Sequence, residues 1–293
     1  MTEDVQHTKQ VRLATVGVLS IVVLVVVYVI AIRTHIGQRI DAVAFDRHSA
    51  VTQATTRRTN RLLGTVSAAS LLGFGGVLVL IALARRRVVL AIAAGVAMSG
   101  AVVTTEVLKK LVLIRPDLGV YGGESLNTYP SGHATIGMTL SLAAVMVAPP
   151  SLRRLALAIA AFTSTAFGTA VLSSGWHRPS DTIGGYFVTL AWFAAMSALV
   201  VPHEHALDER RSTVPDPPAS PVLLGLAAIG VLGILLFVLR KSVSATGLRT
   251  VVYAAPYVLA CIGIDLAGIA IVGTYYVLQR TRMRVGAPMP GPS

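Results

Sequence analysis

Tyr129-Pro130-Ser131-Gly132-His133 stands between two long apolar runs, and how this short polar stretch is read decides the fold. A membrane-length segment ends before it and another, 132–148, begins within it. Ser131 is a good N-cap, Pro130 stiffens the entry, and Gly132 leaves room for close approach. The N–H groups at such a helix start form an anion pocket, with His133 beside it. Two more polar islands flank the stretch. Lys109-Lys110-Leu111-Val112-Leu113-Ile114-Arg115-Pro116 precedes it, and His177-Arg178-Pro179-Ser180-Asp181 follows one helical hairpin later.

Composition places these islands in a membrane protein. The 293 residues are 54% hydrophobic and 13% charged, whereas a soluble domain carries about 25% charged residues. The mean hydropathy is +0.71. Eight apolar segments, near 13–32, 62–84, 88–114, 132–148, 155–175, 182–201, 222–239 and 251–278, approach the length that spans about 30 Å of hydrocarbon. The expected fold class is therefore all-α, a polytopic membrane helical bundle. The first run exceeds a signal-peptide core and is not followed by a small-residue cleavage pattern, so it is read as a retained span.

The formal charge of +12 lies in short arginine clusters between apolar runs. That placement fits lipid headgroups and orientation rather than nucleic acid. The single cysteine, Cys261, excludes an intrachain disulfide, and no Cys/His cluster suggests a metal. The sequence leaves room for a homo-oligomer.

Residues 33–61 form a polar connection in which Ile36, Ile40, Val43 and Phe45 suggest a helix lying on the membrane surface. The expected organisation is a core over 10–202, an exposed linker over 203–221, a further two-span hairpin over 222–279, and a basic disordered tail over 280–293. The short loops Arg85-Arg86-Arg87 and Arg153-Arg154 favour a cytoplasmic N-terminus. The islands would then face outward, in what is expected to be the plasma (inner) membrane. Span parity puts all three islands on one face, whichever face that is.

Ionisable groups at a membrane edge are costly and call for a function. Lys109, Lys110 and Arg115 offer cationic donors for phosphate oxygens, although basic residues at a span end also snorkel to headgroups. Glu106 lies three and four residues before the lysines, which predicts helical ion pairs. His177 and Asp181 are four residues apart at a helix start. There the carboxylate can hold one ring nitrogen and leave the other as a nucleophile, or simply complement the helix dipole. Asp265 lies mid-span and should face protein or water.

In order and context, Lys…Arg-Pro, Pro-Ser-Gly-His and His-x-x-x-Asp resemble the type 2 phosphatidic acid phosphatase superfamily of membrane lipid phosphatases, over about residues 10–202. The resemblance implies a six-helix core and cofactor-free, metal-independent hydrolysis of a lipid phosphate or diphosphate through a phosphohistidine. It implies His177 as nucleophile, Asp181 as its orienting partner and His133 as general acid. Arg115, Ser131 and Gly132 are implied as phosphate binders, with Lys109, Lys110 and Arg178 as further candidates. Two positions depart from the pattern. Leu108 occupies the lysine position seven residues before Arg115, with Lys109 and Lys110 nearer. Each residue turns a helix by about 100°, so a lysine substitutes only where the local backbone differs. Val171 occupies the arginine position six residues before His177, and Arg178 or the spare lysine is the expected replacement. That gap motivates an alternative, a catalytically weak relative that binds or moves phospholipids.

Overall fold

The computed structural model describes residues 3–50, 53–64, 68–121, 126–208 and 247–280. The described residues are almost wholly helical and form nine α-helices. In chain order these are α1 Glu3–Val27, α2 His35–Asp46, α3 Gln53–Gly64, α4 Ala68–Ala84, α5 Val88–Val107, α6 Gly132–Val147, α7 Arg153–Ser173, α8 Pro179–Asp208 and α9 Gly247–Arg280. Among the described residues, five helical stretches are long and apolar enough to cross a membrane: Gln6–Ile32, Val88–Val112, Arg153–Ser173, Pro179–His203 and Tyr253–Gln279. Leu71–Ala84 and Gly132–Val147 are shorter apolar helices. The expected seventh span, 222–239, lies outside the described residues, as do residues 209–221 of the linker and all of the tail after Arg280. The first residues of that linker are helical, because α8 continues to Asp208.

Helix α6 sits among α5, α7 and α8, while α1 runs along α8. Small residues set these approaches, as is common where helices pack within lipid. Ala91, Ala94, Ala97 and Ala101 of α5 are buried, whereas Val96 and Val103 of the same helix are exposed. Gly100 lies under Trp192, whose Nε1 donates to Thr104 Oγ1 at 3.0 Å. Gly185 brings α8 against the head of α6. A Cβ there would meet the Ser131 carbonyl oxygen at 2.7 Å and Thr135 Oγ1 at 2.8 Å. Gly185→Ala should therefore cost about 1–3 kcal/mol, read as a lower Tm in detergent. Gly95→Ala, with nothing within 4 Å of its Cβ, is the matched control.

Helix α9 shares the core rather than standing beside it. Tyr257, Ile264, Val272 and Tyr275 are buried in the same apolar cluster as Leu142, Leu172 and Phe193. A polar seam joins α9 to its neighbours: Asp265 Oδ1 accepts from Thr169 Oγ1 at 2.7 Å, and the Ser173 and Tyr257 hydroxyls are 2.7 Å apart. Asp265, expected to face protein or water, thus finds a protein partner.

Helix α2 is amphipathic, as the spacing of Ile36, Ile40 and Val43 predicts. Thr34 caps it, its Oγ1 accepting from Gly37 N at 3.0 Å. Ile36, Ile40 and Val43 are exposed along one side, and Gln38, Asp41, Ala42 and Ala44 are buried on the other. Phe45 departs from the expected stripe. It stands two residues after Val43, about 200° around the helix, and turns inward.

Candidate active site

All three islands meet at one end of the bundle, as parity requires. The first leaves α5 through a π-helical turn over Leu108–Val112, followed by extended chain at Leu113. Such widened turns recur at functional sites. The backbone therefore does depart from an α-helix where the lysine is displaced. The turn is held by Asn127, whose Nδ2 donates to the carbonyl oxygens of Lys109 at 3.0 Å and Leu113 at 2.8 Å.

The two lysines separate. The Lys109 side chain is 18% exposed and that of Lys110 is 67% exposed. Lys109 Nζ lies 3.6 Å from the position of a Cβ on Gly132, over the start of α6. Both lysines pair with Glu106, at 2.5 Å and 2.9 Å, as their spacing predicts.

The second island caps α6 as expected. Ser131 is buried, its Oγ accepts from Ala134 N at 3.3 Å, and its own N–H donates to the Asp181 carbonyl at 2.8 Å. The cap is thereby tied to α8. The Tyr129 hydroxyl donates to the Leu24 carbonyl at 2.7 Å, anchoring the island to α1. The ring of His133 stands edge-on to Trp176 at 4.9 Å and lies 6.2 Å from the ring of His177, centroid to centroid.

The third island opens α8 with Pro179 in its first turn, where a missing N–H costs nothing. Asp181 then gathers the site. Its Oδ1 accepts from Arg115 Nη2 at 3.0 Å, and neither side chain is exposed. Its Oδ2 accepts from Thr128 Oγ1 at 2.6 Å and from Arg178 N at 3.0 Å, half of a capping box. His177 Nδ1 faces the same oxygen at 3.5 Å, beyond a tight hydrogen bond but close enough for charge. Asp181 thus complements its helix start and faces the histidine ring at once.

Arg178 lies over the ring of Tyr121 at 4.2 Å and near that of Phe45 at 5.4 Å, with Nη1 donating to Thr128 Oγ1 at 3.4 Å. Val171 is buried in an apolar cluster with Leu63 and Ala170. Arg115 Nε, Arg178 Nε and His177 Nδ1 are buried with no hydrogen-bond partner. Two of these are guanidinium donors, the type of group that a bound phosphate satisfies.

The sequence reading missed Thr128, Tyr121, Gln38 and Asp41. Tyr121 donates from its hydroxyl to the Gln38 carbonyl at 3.1 Å, and Gln38 Nε2 donates to the Pro116 carbonyl at 2.9 Å. The signal for the α2 pair was present, since Gln38 and Asp41 share the helix side opposite Ile36 and Ile40.

Fold and site together define a class: an all-helical membrane protein with a histidine–aspartate pair and a cluster of cations at one end of its bundle. Residues 88–204, which hold all three islands, match the model of the PAP2 superfamily. The crystal structure of a PAP2-type phosphatidylglycerolphosphate phosphatase from Bacillus subtilis shares the fold, with a TM-score of 0.50 and 18% identity, covering 67% of this chain and 97% of that one. None of the curated proteins matches the chain.

Proposed function

We propose that the chain hydrolyses a lipid phosphate or diphosphate at the outer membrane face through a phosphohistidine. The observation that carries this reading is His177 facing the buried Asp181 at 3.5 Å, with His133 across from it and unpartnered guanidinium donors beside it. With Nδ1 turned to Asp181, His177 presents Nε2 to phosphorus. A new N–P bond forms as the bond to the lipid oxygen breaks, and His133 gives that oxygen a proton. Water then attacks the phosphohistidine, His133 takes its proton, and His177 is restored. Lys109, the N–H groups of Gly132 and His133, Arg115 and Arg178 stabilise the phosphoryl oxygens. Lys110, the more exposed lysine, serves headgroup attraction. Phosphatidic acid, phosphatidylglycerol phosphate and a polyprenyl diphosphate all have the required chemistry.

The test supplies the purified full chain with this panel of lipids in chelator, beside a His177→Ala variant. Vanadate-sensitive phosphate release that the variant lacks is the expected result. Binding without release from any lipid would instead establish the second reading, a phospholipid-binding or phospholipid-moving relative. The observation favouring that reading is the apolar burial of Val171 at the motif's arginine position.

Arg178 is the proposed replacement for that arginine. Arg178→Ala should lower kcat/KM by about 10–100-fold, the range for losing a charged hydrogen bond of about 1.5–3 kcal/mol. Unchanged phosphate release would remove Arg178 from the phosphate pocket.

A further inference from the structure

Helix α2 lies outside the 88–204 segment, yet its inner side reaches the catalytic end of α8. Asp41, 4% exposed, grips a single residue with both carboxylate oxygens. Its Oδ1 accepts from Ser180 N at 3.1 Å and its Oδ2 from Ser180 Oγ at 2.5 Å. Ser180 directly precedes Asp181, and the Arg178 N–H binds Asp181 on the other side. Any slip of Ser180 therefore moves the carboxylate that faces His177.

A neutral cap would satisfy the start of α8 at lower cost. A second buried carboxylate beside Asp181 adds like-charge repulsion, so simple capping leaves the choice of residue unexplained. The charged and titratable groups facing Asp41 are Asp181 of α8, with Arg115 and Tyr121 of the segment between α5 and α6. We propose that Asp41 is a positioning residue, holding the first turn of α8 through Ser180 so that Asp181 faces His177, and that this hold loosens when Asp41 takes up a proton.

Burial, and then the charge of Asp181, push the Asp41 carboxyl up from 3.8 to about 6. The sign follows directly. Above that pH the carboxylate accepts both Ser180 bonds, and below it one acceptor is lost and the clamp weakens. The inference rests on the phosphatase reading for its kinetic test.

That test measures kcat and KM from pH 4.5 to 8.5 on the best lipid phosphate of the panel, for wild type, Asp41→Asn and Ser180→Ala. Asp41→Asn should lower kcat about 10-fold at pH 7.5 with KM within about twofold. The wild-type acid limb should include the Asp41 break, and Asp41→Asn should lack it. In Ser180→Ala, which deletes one bond that favours ionised Asp41, the Asp41 break should move to higher pH. Wild-type kcat with an unchanged limb in both variants overturns the proposal, as does a change confined to KM. If no variant, nor wild type, releases phosphate, the phosphatase reading has failed, and a second readout decides the clamp. In histidine-labelled full-length protein the NMR titration of the His177 ring, assigned with His177→Ala, should shift in Asp41→Asn. An unmoved midpoint overturns the clamp independently of turnover.

Discussion

Replacing His177 with alanine should lower phosphate release by about 10⁴-fold or more, the largest kinetic effect expected of any substitution. The magnitude follows from its proposed role, because removing a covalent nucleophile would delete the reaction path instead of weakening it. His133→Ala should cost less, about 10²–10⁴-fold, as befits a proton donor. The side chain of His177 is 11% exposed and its ring lies at the helix start, so alanine there should leave the fold intact. The measurements are single-turnover phosphate release and trapping of phosphorylated protein on rapid quenching. Trapped phosphate should be stable to alkali, labile to acid, and absent from His177→Ala. Phosphorylation surviving in that variant would assign the nucleophile elsewhere.

The largest stability effect belongs to Asp181. This carboxylate is fully buried and satisfies Arg115, Thr128 and the Arg178 N–H while facing His177. Asp181→Ala strands the Arg115 guanidinium, itself 0% exposed, without its counter-ion. Removing one partner of a buried ion pair costs about 3–5 kcal/mol, so a sharply lower Tm or loss of folded protein in detergent is expected. Asp181→Asn keeps the shape and one acceptor oxygen. It should remain folded and lose about 10³–10⁴-fold in kcat, because the amide no longer stabilises the charged ring. The contrast separates the two functions of one residue. An Asn variant with near wild-type turnover would show that His177 works without the carboxylate.

Much of this arrangement was legible in the chain, and the reasons are physical. Long apolar runs make any polar island conspicuous, so Lys109–Arg115, Ser131–His133 and His177–Asp181 stand out. Span parity alone then brings them to one end. Ser131 as a cap and the pairs between Glu106 and the lysines follow from local spacing. Packing was not legible, because a helix side facing lipid and one facing protein are both apolar. Val96 and Ala97 differ in burial, yet hydropathy does not tell them apart. That is why α9 read as an appendage although Tyr257 and Tyr275 are core residues.

Contacts across long sequence separations were also hidden. Thr128 binds Asp181 across 53 residues, and Asp41 binds Ser180 across 139. The π-helical turn at Leu108–Val112 was foreseen only as a condition, since hydropathy carries no record of five residues widening one turn. That turn, with Asn127 behind it, explains why two adjacent lysines end in different surroundings.

On the proposed phosphatase reading, the shortness of α6 would govern how a lipid is handled. Its 16 residues rise about 24 Å, less than the roughly 30 Å of a hydrocarbon core. Its far end is pinned where Arg85 Nη1 donates to the Val147 carbonyl at 2.6 Å. With that far end at one membrane face, the proposed reaction centre would lie several ångströms below the opposite headgroup plane. On the proposed phosphatase reading a phosphate would descend to it while the tails stay in oil, so none of the roughly 0.8 kcal/mol per methylene needed for extraction would be incurred. Departure would be divided in the same way: the dephosphorylated lipid would drift off sideways within its leaflet, and inorganic phosphate would leave upward into water.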